Sequence, residues 1–72
     1  MTALQEHIVS ILGECPEKFV DICRVSGQVI ERTNQSWGAL QITLELCRME
    51  DCGWIAFSDD QHAVRLAGVG RA

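Results

Sequence analysis

The stretch that most constrains the fold of this chain runs from Ile42 to Leu66, where a helical pattern meets a glycine and two strand-like segments. Gly53 follows the helical pattern, at the place where a glycine commonly ends a helix. Residues 54–57 and 63–66 are rich in residues that favour strands, and the polar run between them favours a turn. This stretch therefore predicts a helix that turns directly into a β-hairpin.

Two more helices are predicted upstream of that stretch. Thr2 and Gln5 have the spacing of a capping box at the start of the first helix. Its apolar residues repeat at helical spacing: Leu4, Ile8, Ile11 and Leu12. Pro16 suits the first position of a second helix, which we expect to end before the turn-forming run 33–36. Its predicted apolar stripe consists of Phe19, Cys23, Ser26 and Ile30.

Size and composition limit the chain to a single small domain. Its 72 residues are 47% hydrophobic with one proline, which is typical of a globular domain near the lower size limit for a stable core. We predict one domain over residues 1–67 and a flexible tail over residues 68–72. The N-terminal residues lack the basic start and long apolar run of a signal peptide or membrane span, so we expect a cytoplasmic protein with reduced cysteines.

The junction between the third helix and the hairpin carries a family resemblance. The pattern Leu46-x-x-Met49-x-x-x-Gly53-Trp54-Ile55, after two earlier helices, resembles the winged helix-turn-helix superfamily. The resemblance implies an α+β domain of three helices followed by a two-stranded β-hairpin wing. It also implies that the apolar residues ending the third helix pack on the first two helices, while the hairpin closes the open end of the core.

The third helix, expected between Ser36 and about Asp51, has two apolar stripes on nearly opposite sides. One stripe consists of Ile42, Leu46 and Met49, and the other of Trp37, Leu40, Leu44 and Cys47. Three interpretations of the second stripe remain open. In the first, the third helix is buried on both sides. In the second, the stripe is a homodimer or partner-protein interface. In the third, this side of the helix reads DNA.

The sequence favours a protein interface over a DNA-reading surface. Water-facing Trp and Leu side chains on one helix side usually mark an interface, and here they are Trp37, Leu40 and Leu44. Asp59 and Asp60 make the expected wing tip acidic, which suits a basic partner. We therefore predict a small non-catalytic regulatory protein, an adaptor or inhibitor, that uses these five residues.

The alternative is a dimeric winged-helix regulator of transcription. The resemblance implies that the third helix would enter the major groove and that the wing would touch the DNA backbone. Gln41 and Arg48 would then contact bases, and the phosphate contacts would come from Arg24, Arg32 and Arg65. Six basic against ten acidic residues give a net charge of −4, so folding would have to gather the scattered arginines into one patch.

No residue pattern indicates catalysis. The chain has no phosphate loop, nucleophile elbow or metalloprotease motif, and a domain this small leaves little room for a cleft. We expect no enzyme activity, no small-molecule substrate and no cofactor. The spacings Cys15-x7-Cys23 and Cys47-x4-Cys52 are poor metal motifs. Cys23 and Cys47 fall on apolar helical stripes, where a free cysteine behaves as a small hydrophobic residue, and we expect Cys52 to be the exposed thiol.

Overall fold

The chain folds into three helices and a three-stranded antiparallel sheet in a computed structural model, which describes residues 2–67. This confirms the predicted α+β class and the three helices, while the sheet has one strand more than the predicted hairpin. The predicted tail, residues 68–72, lies outside the described residues. In chain order the elements are α1 (Ala3–Gly13), β1 (Val20–Asp21), α2 (Ile22–Thr33), α3 (Ala39–Asp51), β2 (Ile55–Phe57) and β3 (Ala63–Leu66).

Helix α1 starts with the predicted capping box. The Gln5 amide donates to Thr2 Oγ1 at 3.1 Å, and the Thr2 amide donates to Gln5 Oε1 at 3.0 Å. These bonds occupy backbone donors that have no partner inside a helix. The predicted apolar residues of α1 are all buried: Leu4, Ile8, Ile11 and Leu12.

The segment before α2 corrects the prediction of a helix starting at Pro16. Val20 and Asp21 form strand β1, and α2 begins only at Ile22, capped by Asp21, whose carboxylate accepts from the Cys23 amide at 2.8 Å. A different stripe of α2 also faces the core. Val25 and Val29 are fully buried, whereas Phe19, Cys23 and Ile30 of the predicted stripe are exposed.

Strand β3 lies at the centre of the sheet, in the order β1-β3-β2. Val20 pairs with Val64 on one side of β3, and Phe57 pairs with Val64 on the other. The turn between β2 and β3 (residues 58–62) is joined to the start of α2, because the Ile22 amide donates to the carbonyl of His62 at 2.9 Å. The sheet therefore connects the region before α2 to the hairpin.

Helix α3 enters the hairpin as the sequence predicts. The helix ends at Asp51, and Gly53 adopts a φ of 78°, a left-handed conformation that glycine adopts without steric strain. The Trp54 amide then donates to the carbonyl of Met49 at 2.9 Å. Three residues on one side of α3 have no exposed surface and join the core beside Ile55 and Val64: Ile42, Leu46 and Met49.

Candidate functional site: an exposed stripe on α3

The second apolar side of α3 faces solvent. Leu40 is 83% exposed and Leu44 is 51% exposed, and Cys47 is exposed one turn further on. We call Leu40, Leu44 and Cys47 the α3 stripe. Because α1, α2 and the sheet all pack on the opposite side, the interpretation in which α3 is buried on both sides does not hold for these residues.

Trp37 is separate from the α3 stripe in this fold. Its ring is partly buried against the core, and its Nε1 donates to the Thr33 hydroxyl at 2.9 Å. That hydroxyl in turn donates to the carbonyl of Val29 at 2.8 Å. Trp37 therefore fastens the segment before α3 to the end of α2, and its truncation would disturb the fold together with any contact that it makes.

Polar side chains flank the α3 stripe on both sides. Gln41 and Arg48 lie along one edge and Thr43 and Glu50 along the other, and all four are exposed. The Arg48 guanidinium lies 3.6 Å from the carboxylate of Glu45, which also accepts a bond from the Gln5 amide group. The stripe is thus a narrow apolar strip with a polar rim on each side.

The two aspartates in the acidic turn between β2 and β3 have different roles. The Asp60 carboxylate accepts from the Ser58 hydroxyl at 2.6 Å and from the His62 amide at 3.0 Å. These bonds favour the charged form and lower the pKa of Asp60, the Ser58 bond most of all. Asp60 shapes the turn, whereas the exposed Asp59 makes no side-chain hydrogen bond within residues 2–67.

The arginines proposed for phosphate contact fall into two groups. Arg32 pairs with the carboxylate of Glu14 and donates to the Ser10 hydroxyl at 3.0 Å, at the ends of α1 and α2. Arg65 lies over the Phe19 ring, 5.0 Å from its centroid, and Arg24 lines a cleft that also includes Phe19. Folding therefore brings Arg24 and Arg65 near one aromatic side chain, and it engages Arg32 elsewhere. No local sequence pattern indicates this grouping.

The cysteines do not converge on a metal site. Cys15, Cys23, Cys47 and Cys52 are all free and exposed, so the exposed thiol expected at Cys52 is one of four. Among the described residues, no three His, Cys, Asp or Glu side chains are grouped so that they could hold a metal ion. Within the same part of the chain, no helix has the length and apolar character needed to cross a membrane.

Comparisons with protein-family models, with curated proteins and with solved structures found no match for this chain.

Proposed function

We propose that this chain is a winged-helix-like domain that acts by binding a partner protein through the α3 stripe. The observation that carries the proposal is the exposure of Leu40 and Leu44 on a helix whose opposite side is completely buried. The helix-glycine-hairpin order of α3, Gly53, β2 and β3 supports the family assignment.

The exposure of the α3 stripe is unfavourable for an isolated chain. Burying one leucine side chain contributes roughly 1.5–3 kcal/mol relative to leaving it in water. In the free domain Leu40 gains little of this stabilisation and Leu44 about half of it, because they are 83% and 51% exposed. Apolar side chains arranged this way fit recognition of a helix by a groove, in which anchors repeat along one helix side.

The occupant that fits best is an apolar groove with basic residues along its rim, on a different protein. Helix α3 has 13 residues, so it is about 20 Å long and presents a narrow strip. A groove covers such a strip from both sides, whereas the stripe of a second copy covers only the part that faces it. A standard interface buries about 800 Å² on each partner.

Charge also favours a different protein over a second copy. The chain carries a net charge of −4, so two copies repel each other at long range. Glu50 on the rim of the stripe and Asp59 in the exposed turn are both acidic, and basic groups on a partner would complement them. The domain would then act as an adaptor or inhibitor, covering a basic surface that other ligands also use.

The ion pairs of the arginines support the DNA-binding alternative less well than the exposed stripe supports protein binding. Arg32 and Arg48 are each close to a carboxylate, Glu14 and Glu45 respectively. Phosphate contacts supply much of the affinity of such complexes, and cations already paired with carboxylates contribute less to it. The acidic turn adds repulsion where the resemblance implies contact with the DNA backbone.

The test compares Leu40→Glu with Ile30→Glu. Ile30 is a matched control because it is also an exposed aliphatic residue on a helix, but it lies on α2. Tagged wild type and both variants would be used to capture proteins from a lysate. Any protein retained by wild type and Ile30→Glu but lost with Leu40→Glu would be purified and titrated against all three chains.

We expect the purified partner to bind wild type and Ile30→Glu alike, and to bind Leu40→Glu at least about thirtyfold more weakly. Circular dichroism would establish that both variants are folded. Equal binding by the two variants would overturn the proposal. A dimer in solution that dissociates only in Leu40→Glu would overturn it as well, because the stripe would then be occupied by a second copy.

A further inference from the structure

A cleft of about 380 Å³ lies beside β1, where the end of α1 and the following loop meet one side of α2. None of its lining residues belongs to α3, so it is separate from the α3 stripe. Its size is within the range of small-molecule sites in proteins, roughly 300–1,000 Å³. The sequence argument for little room in so small a domain missed this cleft, because β1 and the late start of α2 form it.

Two basic residues line this cleft, and a third contacts the Phe19 ring. Lys18 and Arg24 line it together with Phe19, and the Arg65 guanidinium covers the Phe19 ring at 5.0 Å. Arg65 reaches Phe19 from β3 because β1 and β3 pair side by side, with Val20 opposite Val64. Within residues 2–67, none of these three cations forms a salt bridge.

The carboxylates at the cleft are already engaged. Glu14 pairs with Arg32, which lies outside the cleft lining. Asp21 caps α2 by accepting from the Cys23 amide at 2.8 Å. Among residues 2–67, Lys18 and Arg24 therefore have no salt-bridge partner, while Glu14 and Asp21 have structural roles.

Apolar surface accompanies the cations. Phe19 is 46% exposed, and Ile11 and Val20 form part of the same lining. A ligand that carried only charge would leave the exposed part of the Phe19 ring in water. A ligand with an apolar part beside an anionic group would cover the ring and pair with the nearby cations.

We propose that this cleft binds a small organic anion that has an aromatic or aliphatic part next to a carboxylate or phosphate. Lys18 and Arg24 pair with the anionic group, and Phe19 and Val20 contact the apolar part. Arginine suits both anionic groups because its planar fork of donors matches their oxygens. The cleft binds the ligand and does not transform it.

The experiment follows the backbone amide signals of the ¹⁵N-labelled chain by NMR as phenyl phosphate, benzoate or benzyl alcohol is added. Wild type is compared with Lys18→Gln, Arg24→Gln and the matched control Arg48→Gln, which removes an exposed arginine on α3. We expect phenyl phosphate or benzoate to cause saturable shifts within residues 11–28, with no comparable effect from neutral benzyl alcohol. Stronger binding of phenyl phosphate would identify phosphate as the preferred group, and stronger binding of benzoate would identify carboxylate.

The variants separate a specific site from general attraction. Arg24→Gln should weaken binding about tenfold, since a hydrogen bond to a charged group is lost, and Arg48→Gln should leave binding unchanged. Equal weakening by both arginine variants, or equal binding of benzyl alcohol, would overturn the proposal. So would saturation of the same residues by duplex DNA without any response to the small anions, because the surface would then bind nucleic acid. Each of these results is independent of the partner-binding test on α3.

Discussion

The two sides of α3 have nearly the same apolar composition and opposite environments. On one side Leu46 has no exposed surface, and on the other Leu40 is 83% exposed, although the two lie six positions apart on one helix. The difference comes from the elements that pack around the helix, because α1, α2 and β2 all contact its buried side. Apolar periodicity identifies the sides of a helix, but only the surrounding elements decide which side becomes core.

Of the substitutions that compare the two sides of α3, Leu46→Ala should have the largest effect on the free energy of unfolding. Truncation of a fully buried leucine removes apolar contacts and leaves a cavity, which typically lowers the free energy of unfolding by about 2–5 kcal/mol. For a 72-residue domain that is a large share of the total stability. Urea denaturation followed by circular dichroism measures it. A loss below about 1 kcal/mol would show that the buried side of α3 is not tightly packed.

Trp37→Phe should have an intermediate effect, because Trp37 lies between the two environments. The substitution keeps an aromatic ring but removes the Nε1 donor to Thr33. We expect the free energy of unfolding to fall by about 1 kcal/mol, the usual contribution of a neutral hydrogen bond. The same urea titration measures this change. If the stability is unchanged, the bond from Trp37 does not stabilise the fold, and Trp37 belongs with the residues of the exposed stripe.

Asp60→Asn should have a smaller effect that depends on pH. The folded-state pKa of Asp60 is lowered, so its charged form stabilises the fold above its unfolded-state pKa. That stabilisation disappears as the pH falls through the folded-state pKa. The asparagine variant should therefore be less stable than wild type at neutral pH and equal to it in acid. Urea midpoints across that pH range measure the difference, and a difference independent of pH would contradict the prediction.

Leu40→Ala should have the smallest effect on stability. It is the same chemical change as Leu46→Ala, but it removes a side chain that is mostly in water. We expect the free energy of unfolding to stay within about 0.5 kcal/mol of wild type. Urea denaturation at several protein concentrations tests this. A large loss that grows with protein concentration would mean that Leu40 is buried in a self-associated form.

Local patterns predicted the parts of this fold that depend on neighbouring residues. The capping box of Thr2 and Gln5, the turn at Gly53 and the hairpin all follow from residue types a few positions apart. The buried side of α3 was also predictable from the sequence, because Ile42, Leu46 and Met49 repeat at helical spacing.

Strand β1 was not predictable from its own residues. It has two residues, and it exists because Val20 pairs with Val64 far along the chain. The predicted stripe of the second helix was wrong at both ends, because Phe19 precedes β1 and lies outside the helix, and Ile30 lies on the exposed side of α2. The gathering of Lys18, Arg24 and Arg65 depends on that same pairing, so the cleft could not be predicted either. For the α3 stripe, the sequence indicated the residues but not their exposure.

The central position of β3 also has a consequence for the order in which the chain can fold as it is synthesised. Both neighbours of β3 precede it in the chain, and β1 ends more than forty residues before β3 begins. A growing chain that has not yet reached Ala63 therefore has two strands with no partner and a core without Val64. The helices can form as they emerge, but the sheet closes in one late step, and until then apolar surface of the core is accessible to chaperones and proteases.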